Sequence, residues 1–360
     1  MTKLVKTNAS LEVKKSEFIV KARYKLNPLA IKFISTIIGN LKKTDEYHQE
    51  YIFKINDFKE LTGQKTNRIY ELLDEVTEEL LNNPLKIPRE DGGFLKANWV
   101  ADAEYKKGSG VISFTISPKL RPYLIEAQQK YLKYNLENIL PLKSSYSIRM
   151  YEILKDYYNT QARYGNKVEK IIEVAKLREM LEIPKSYKYG NSSGIKQRVL
   201  EKSKQELKEH TDIIFDYEEI KTGRKVTHLK FTIQLNPKKI KEQEQKVKEY
   251  LKSFKTFTDY LRKIWAGNLK FFFVGTDTET NKEVFFGIDN EGLLYSTTGA
   301  EFINYNAIES KEKYIKFYKV FKNSELWQDL LENQTNLVDI KSNNTELYNL
   351  LMEEAKEILK

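Results

Sequence analysis

Apolar residues recur at two different spacings along the first two thirds of the chain. In residues 30–38, 64–81 and 147–158 they lie three and four positions apart, which is typical of amphipathic helices. In residues 110–117 and 225–235 they alternate with polar residues, which indicates strands with one buried face. The pattern therefore predicts an α+β protein in which helices precede pairs of strands.

Two pairs of segments repeat at one common offset. "AIKFISTII" at 30–38 aligns with "SIRMYEIL" at 147–154, and Phe-Thr-Ile recurs at 114–116 and 231–233, each time 117 residues apart. Agreement of separate segments on one offset predicts an internal duplication. Chance similarity between short apolar segments is the alternative.

After the helices at 30–38 and 147–154, both copies have the same predicted order of two helices joined by a turn and then a β-hairpin. This order is that of a winged helix, a helix-turn-helix with a hairpin wing. In the first copy the segments are 55–63, 64–81, 92–105 and 110–117, and in the second copy they are 174–181, 189–210, 212–220 and 225–235.

The segment 189–210 begins with small and polar residues and continues as an amphipathic helix, with one face formed by Ile195, Val199, Leu200 and Leu207. The second helix of a helix-turn-helix enters the major groove of DNA with its N-terminal residues on base edges. Small residues at a helix start allow close approach to phosphate, while long polar side chains reach the bases. The predicted DNA contacts of this helix are Ser192, Ser193, Lys196, Gln197, Arg198 and Lys202.

Equivalent positions in the first copy and the two wing tips complete the predicted DNA-binding set. Basic wing tips can reach the flanking DNA backbone or a neighbouring groove. These further residues are Lys65, Thr66, Asn67, Arg68, Lys106, Lys107, Lys221, Arg224 and Lys225. Winged helices that make only protein contacts are the alternative.

Charge favours DNA as the partner of residues 1–240. That part has 44 Lys and Arg against 31 Asp and Glu, a net charge of +13, whereas residues 241–360 have 17 against 20, a net charge of −3. A basic surface attracts a polyanion such as DNA. The alternative is that a lysine-rich surface only keeps the protein soluble.

Enzymatic and membrane functions find little support in the sequence. The chain has no cysteine, which excludes disulfides, thiol catalysis and cysteine-ligated zinc. His48, His210 and His228 are isolated, and no phosphate-binding loop motif occurs. We therefore expect no catalytic residues, no metal and no cofactor. Without a long apolar run or a signal peptide, a soluble cytoplasmic protein is expected.

Two sequence segments in the second copy resemble a known family. "LENILPLKSSYSIRMYEILKDYY" at 136–158 and "IKQRVLEKSKQELKEHTDIIFDYEEIKTGRKVTHLKFTI" at 195–233 are similar to the iteron-binding plasmid replication initiators. The resemblance covers roughly residues 10–240. It implies two tandem winged-helix domains that bind directly repeated sites, called iterons, in the origin of a bacterial plasmid.

The resemblance also implies partners. Initiators of this kind help to melt adjacent AT-rich DNA and gather the host's replication initiator and helicase-loading machinery. Many form homodimers through the first winged helix and then bind an operator inverted repeat to repress their own promoter. The alternative function is that of a plasmid- or phage-encoded transcriptional repressor with the same fold and without initiator activity.

The expected domains are a first winged helix at 1–135, a second and principal DNA-reading winged helix at 136–240, and a small α+β domain at 241–360. A linking helix is expected within Tyr123–Leu142. Arg149, beside Asp156, is expected to form a structural ion pair, with a phosphate contact as the alternative.

A charged helix is expected at 239–254, followed by a three-stranded antiparallel meander. The role of the C-terminal domain is expected to be partner binding or self-association, with stabilisation as the alternative. Its strands are predicted at 269–275, 282–289 and 292–298, and helices at 301–321, 324–332 and 344–359.

Overall fold

The computed structural model describes most of the first 253 residues and short segments after them. The described residues are 2–63, 68–89, 91–105, 108–125, 131–162, 167–190, 194–253, 273–276, 283–288, 294–297 and Lys356. The chain divides into two compact units, Met1–Lys239 and Ile240–Lys360. The first unit contains two modules, each with a helix-turn-helix and a hairpin wing.

The first module combines helices with a four-stranded sheet of order β1-β3-β7-β6, in which β1 and β3 are parallel and the other pairs antiparallel. The hairpin of β6 and β7 is the predicted wing. The elements are β1 (Thr2–Leu4), β2 (Glu12–Ser16), α1 (Glu17–Lys21), α2 (Pro28–Asn40), β3 (Glu50–Lys54), α3 (Ile55–Thr62), α4 (Ile69–Asn82), β4 (Leu85–Pro88), β5 (Phe94–Ala97), β6 (Val100–Tyr105) and β7 (Val111–Ile116).

Local sequence explains the ends of two of these helices. Asn27 caps α2, because its side-chain oxygen accepts a hydrogen bond from the backbone N–H of Ala30 at 2.8 Å, and Pro28 follows as the first helical residue. α3 ends at Thr62, and Gly63 follows with a φ of +66°. Glycine adopts this left-handed conformation without strain, so it terminates the helix as predicted.

Of the apolar face predicted for α4, Ile69, Leu73, Val76 and Leu80 are buried in the core, whereas Leu72 is only half-buried. A cluster of aromatic rings forms the centre of the module. The ring centroid of Phe33 lies 4.9 Å from that of Phe53 and 5.4 Å from that of Phe114. Burying each such ring contributes about 2 kcal/mol. Phe114 belongs to the repeated Phe-Thr-Ile, and its counterpart Phe231 is also fully buried.

The single strand predicted at 92–105 is wrong. The chain forms two strands there, β5 paired with β4 in a separate ribbon and β6 paired with β7 in the wing. The alternation of burial restarts between them at Trp99 and Val100, both buried. The two sides of this break have different partner strands, which the spacing within one segment does not reveal.

The linking helix predicted within Tyr123–Leu142 is also wrong. After the short α5 (Arg121–Leu124), residues form β8 (Tyr131–Asn135), which pairs antiparallel with β2. Leu132 and Tyr134 are buried while Lys133 is exposed, which is the period of a strand.

Helix α6 (Ser145–Gln161) is fixed to the first module by a buried charge cluster. Glu152 is fully buried and accepts hydrogen bonds from Lys15 Nζ at 2.5 Å, Arg149 Nη1 at 2.8 Å and the Tyr134 hydroxyl at 2.8 Å. Burial by itself disfavours the charged carboxylate, but Lys15 and Arg149 hold the pKa of Glu152 below its ordinary value. The ionised cluster ties α6 to β2 and β8.

The structural ion pair predicted for Arg149 is confirmed, with Glu152 as its partner. Arg149 Nη2 also donates to the backbone carbonyls of Val20 and Ala22, at 2.8 and 3.0 Å. With only 3% of its surface exposed, Arg149 is fixed by protein groups.

The second module has the sheet order β10-β11-β9, which matches β6-β7-β3 in the first. Its two wing strands are confirmed close to their predicted bounds, whereas β3 and β9 were not predicted. The elements are β9 (Lys167–Glu173), α7 (Val174–Met180), a π-helical segment (Lys196–Glu201), α8 (Lys202–His210), β10 (Ile213–Thr222) and β11 (Lys225–Leu235).

After the second wing the chain continues as α9 (Pro237–Lys252), the charged helix expected there. The described strands β12 (Phe273–Thr276), β13 (Glu283–Ile288) and β14 (Leu294–Thr297) form the predicted antiparallel meander. The three predicted helices between 301 and 359 lie outside the described residues, apart from Lys356, which is helical. Among the described residues, no helix is both long and apolar enough to span a membrane.

Candidate nucleic-acid interface

The second helix of the second helix-turn-helix is anchored through its apolar face. Ile195, Val199, Leu200 and Leu207 are buried, as predicted. The opposite face is exposed at Lys196, Gln197, Arg198 and Lys202. The helix therefore presents four long polar side chains at its N-terminal end while its backbone is fixed by the core.

The first part of this helix differs from the regular α-helix that was predicted. Lys196–Glu201 is π-helical, and α-helical geometry begins at Lys202. Ile195 and Leu200, both buried, are five residues apart, which suits the wider π turn. Such turns are frequent at functional sites, and this one lies where DNA contacts are expected.

The turn before this helix is held by Arg178 of α7. Its guanidinium donates to the backbone carbonyls of Pro184 at 2.7 Å and Tyr187 at 2.6 Å. The Tyr187 hydroxyl in turn accepts a hydrogen bond from Arg198 Nη1 at 2.8 Å, and the Arg198 guanidinium lies 4.9 Å from the centre of the Tyr187 ring. The partner is a hydroxyl and not a carboxylate, so this contact fixes the direction of Arg198 without forming an ion pair.

Two lysines of the helix are paired with carboxylates of β10. Lys196 Nζ lies 2.9 Å from Glu219 Oε1, and Lys204 Nζ lies 2.8 Å from Asp216 Oδ1. The hydrogen bond from Lys196 holds the pKa of Glu219 below its ordinary value, so the carboxylate stays charged at neutral pH. A phosphate contact of Lys196 therefore requires a change of partner.

The tip of the second wing is basic and exposed. Lys221, Arg224 and Lys225 flank Gly223, whose φ of +60° permits the tight turn. In the part of the chain that the structure describes, Gln197, Lys202, Arg224 and Lys225 have no hydrogen-bonded or ionic side-chain partner.

The first module presents a different surface at the equivalent helix. Arg68 precedes α4, is exposed, and forms an ion pair with Glu71. The exposed face of α4 is acidic, with Glu71, Asp74, Glu75 and Glu78. An acidic face repels phosphate, so the equivalent helices of the two modules differ in electrostatic character.

Seven residues of the predicted DNA-binding set lie outside the described residues. They are Lys65, Thr66, Asn67, Lys106, Lys107, Ser192 and Ser193. Sequence reasoning missed Arg178, Tyr187 and Glu219, whose roles depend on contacts between elements. The described residues contain no group of His, Asp and Glu side chains arranged to hold a metal ion.

Two parts of the chain match models of one family. The model described as "Initiator Replication protein, WH1" matches residues 12–155, and the model described as "Initiator Rep protein, WH2" matches residues 173–233. Together they span more than half of the chain. The chain belongs to the initiator Rep protein family. The predicted family is thereby confirmed, as are two tandem winged-helix domains, and the first and second modules carry the WH1 and WH2 domains of this family.

A relative and a solved structure agree with this assignment. A curated replication initiation protein of Escherichia coli is 25% identical over 234 residues, which cover 63% of this chain and 71% of that protein. The crystal structure of the Pi initiator protein in complex with iteron DNA has a TM-score of 0.54 and 20% identity to this initiator Rep chain. The match covers 64% of this chain and 99% of the Pi initiator chain. At this identity the structural likeness supports the fold alone.

Proposed function

We propose that this protein is a plasmid replication initiator that binds directly repeated duplex sites in the plasmid origin. The observation that carries the proposal is the exposed row of Lys196, Gln197 and Arg198 on an anchored helix of a WH2 module. Family membership supplies the link to replication, and the Pi initiator, of the same fold, is described in complex with iteron DNA.

In this proposal the second module reads the bases. The N-terminal end of its helix enters the major groove, where Arg198 suits guanine and Gln197 suits adenine. Lys202, Lys221, Arg224 and Lys225 then contact phosphates beside the groove and fix the register. Ser192 and Ser193 are assigned to the close approach of the backbone at the start of the helix.

The first module is assigned to the backbone of the flanking DNA. Lys65, Thr66, Asn67, Arg68, Lys106 and Lys107 are its proposed contacts. The acidic exposed face of α4 supports a shallow contact through the helix start and wing tip, with the helix itself outside the groove. Affinity is shared between modules because docking one raises the local concentration of the other.

We assign residues 1–135 and 136–240 to the two winged-helix domains and 241–360 to a C-terminal α+β domain for partner binding. The matching strand orders β6-β7-β3 and β10-β11-β9 support an origin of the first two by duplication. Because α6 shares its charge cluster with β2 and β8, the two domains are expected to move as one body.

The remaining activities are inferred from the family. They are melting of AT-rich DNA, recruitment of the host's replication initiator and helicase machinery, homodimer formation through the first domain, and repression of its own promoter. The protein works without catalytic residues, metal or cofactor, in the bacterial cytoplasm where plasmid DNA lies.

Selection of bound fragments from the whole plasmid tests the proposal. The full chain is expected to retain direct repeats next to an AT-rich stretch, with protection of each repeat in footprinting. Retention of a lone inverted repeat over a promoter, with the direct repeats unbound, would instead establish a repressor.

A further inference from the structure

A row of three basic side chains crosses the ribbon formed by β4 and β5 in the first module. Arg23 pairs with Lys86 through two backbone hydrogen bonds of 3.0 and 2.8 Å, and Lys86 lies directly opposite Lys96. Directly opposite residues project to the same face of a ribbon, so Arg23, Lys86 and Lys96 are neighbours. Like charges directly opposite each other destabilise a ribbon, so cross-strand pairing does not account for Lys86 and Lys96.

The two faces of this ribbon have opposite character. Leu85, Ile87 and Ala97 are buried against the core, which fixes the register of the strands. The other face carries the basic row and Phe94, which is 53% exposed. The Lys86 ammonium lies 4.1 Å from the centre of the Phe94 ring, so its position on this face is defined.

The basic row lines a cleft of about 750 Å³, together with Lys25, Asn83 and Ser145. The two carboxylates of the cleft are already engaged. Glu182 is ion-paired with Arg23, and Glu79 accepts a hydrogen bond from the backbone N–H of Asn27 at 2.6 Å.

Arg23 is ion-paired with Glu182, so Lys25, Lys86 and Lys96 remain for a ligand against the one further carboxylate of the cleft lining, Glu79. Within the described residues, Lys25, Lys86 and Lys96 have no carboxylate partner. The cleft lining has a net positive charge and includes the neutral donors Asn83 and Ser145. None of its residues is among those assigned above to DNA.

We propose that this cleft, through Lys25, Lys86 and Lys96, binds the sugar–phosphate backbone of the duplex that the second module reads. The inference rests on the proposed function and adds a phosphate-binding surface to it. Lysine carries a point charge without the hydrogen-bond fork of arginine, and a cluster of lysines suits the successive phosphates of a DNA backbone. Such contacts raise affinity for cognate and random DNA equally, because they carry no base readout.

The test is the full-length double variant Lys86→Gln/Lys96→Gln, measured on a duplex containing one repeat and on a random duplex across a salt series. The slope of log affinity against log salt is expected to fall by about 1.8 on both, since each lost phosphate contact removes about 0.9. The preference for the repeat over random DNA should not change. The charge-conserving variant Lys86→Arg/Lys96→Arg should restore the slope.

A matched control removes two exposed lysines elsewhere in the first module, Lys119→Gln/Lys133→Gln. An equal fall of the slope in this control would assign the effect to total charge and overturn the proposal, as would an unchanged slope in Lys86→Gln/Lys96→Gln. Titration with inorganic phosphate and with a mononucleotide separates a small-anion site from a DNA contact. Saturable binding of either at micromolar concentration, lost in the double variant, would also overturn the proposal. If the unchanged protein shows no preference for the repeat, the proposed function fails while the slopes still test the cleft.

Discussion

Arg198 is held in a fixed direction in the protein without DNA. The chain of contacts runs from the Arg178 guanidinium to the Tyr187 carbonyl, and from the Tyr187 hydroxyl to Arg198 Nη1. A side chain that is already oriented loses less conformational entropy on binding, so part of the base contact proposed for Arg198 is prepared in advance.

Tyr187→Phe tests this preparation. The variant keeps the ring under the guanidinium and removes only the hydroxyl, so it should cost about 1 kcal/mol, roughly fivefold in affinity, on the cognate repeat. Binding to random DNA and the thermal midpoint should stay the same. Tyr47→Phe, at a tyrosine 56% exposed in the first module, is the matched control and should leave cognate binding unaltered. A cognate affinity unaffected by Tyr187→Phe would show that Arg198 orients itself only on DNA.

Glu152 controls stability through the buried charge cluster. Glu152→Gln leaves Lys15 and Arg149 without a counter-charge, so the free energy of unfolding should fall by about 3–5 kcal/mol in denaturant titrations at neutral pH. Glu12→Gln breaks the exposed pair with Lys14 and should cost less than ~1 kcal/mol. Similar losses in the two variants would contradict the assigned role of the cluster.

The same cluster predicts a pH dependence. The pKa of Glu152 is lower in the folded protein than in the unfolded chain, so its stabilisation is present above the unfolded pKa and lost as pH falls through the folded one. Unfolding free energy should therefore drop below about pH 4 in the unchanged protein. Glu152→Gln should lack this part of the acid dependence, and an identical acid profile in both proteins would refute the assignment.

Among the elements, the wings and helix faces could be predicted because their signals are local. β10 and β11 appear within two residues of their predicted ends, and Ile195, Val199, Leu200 and Leu207 share the buried face as expected. In contrast, β3 and β9 are short strands that lead directly into α3 and α7, and their wing partners are more than fifty residues away. Their pairing is a property of the assembled sheet.

The candidate site likewise has features that could be predicted from local sequence and features that could not. The exposure of Gln197 and Arg198 follows from helical spacing, but the pairing of Lys196 with Glu219 joins a helix to a strand and has no signal in either segment. The π turn at Lys196–Glu201 was missed because buried residues four and five positions apart fit both kinds of helix. The acidic face of α4 was visible in the sequence and limits the equivalence that the repeat suggests.

The second wing should contribute to DNA affinity through phosphate contacts without discriminating between bases. Replacing Lys221, Arg224 and Lys225 together by alanine should lower the salt slope by about 2.7 if each neutralises one phosphate. Random and cognate DNA should be affected alike, in fluorescence anisotropy across a salt series. A loss confined to the cognate repeat would mean that the wing reads bases.

Across the chain as a whole, the net positive charge lies before residue 241, and the C-terminal tail, residues 241–360, has none of it. Residues 1–240 carry a net charge of +13 and residues 241–360 a net charge of −3. A slightly acidic tail adds little phosphate affinity, which favours a division between DNA binding and the recruitment of partners.

A truncation after Ser253 tests this division, because α9 continues to Lys252 and a cut at 240 would interrupt it. Residues 1–253 should bind a single repeat with nearly full affinity and specificity in gel-shift titrations. The same truncation should fail to maintain the plasmid, or should change its copy number, in a suitable host. A large loss of single-repeat affinity in a folded truncation would place a DNA contact, or a brace for the reading helix, in the tail.

Base reading by the second module is tested by Arg198→Ala, titrated on the cognate repeat, on single-base-pair variants of it and on random duplex. The loss on the cognate repeat should be about 1–3 kcal/mol, with relaxed preference at one or two base pairs and little change on random DNA. Lys225→Ala, measured beside it, should weaken cognate and random DNA alike. If Arg198→Ala instead lowers both affinities equally, Arg198 contacts the backbone, and the helix at Lys196–His210 is not the reader of the repeat.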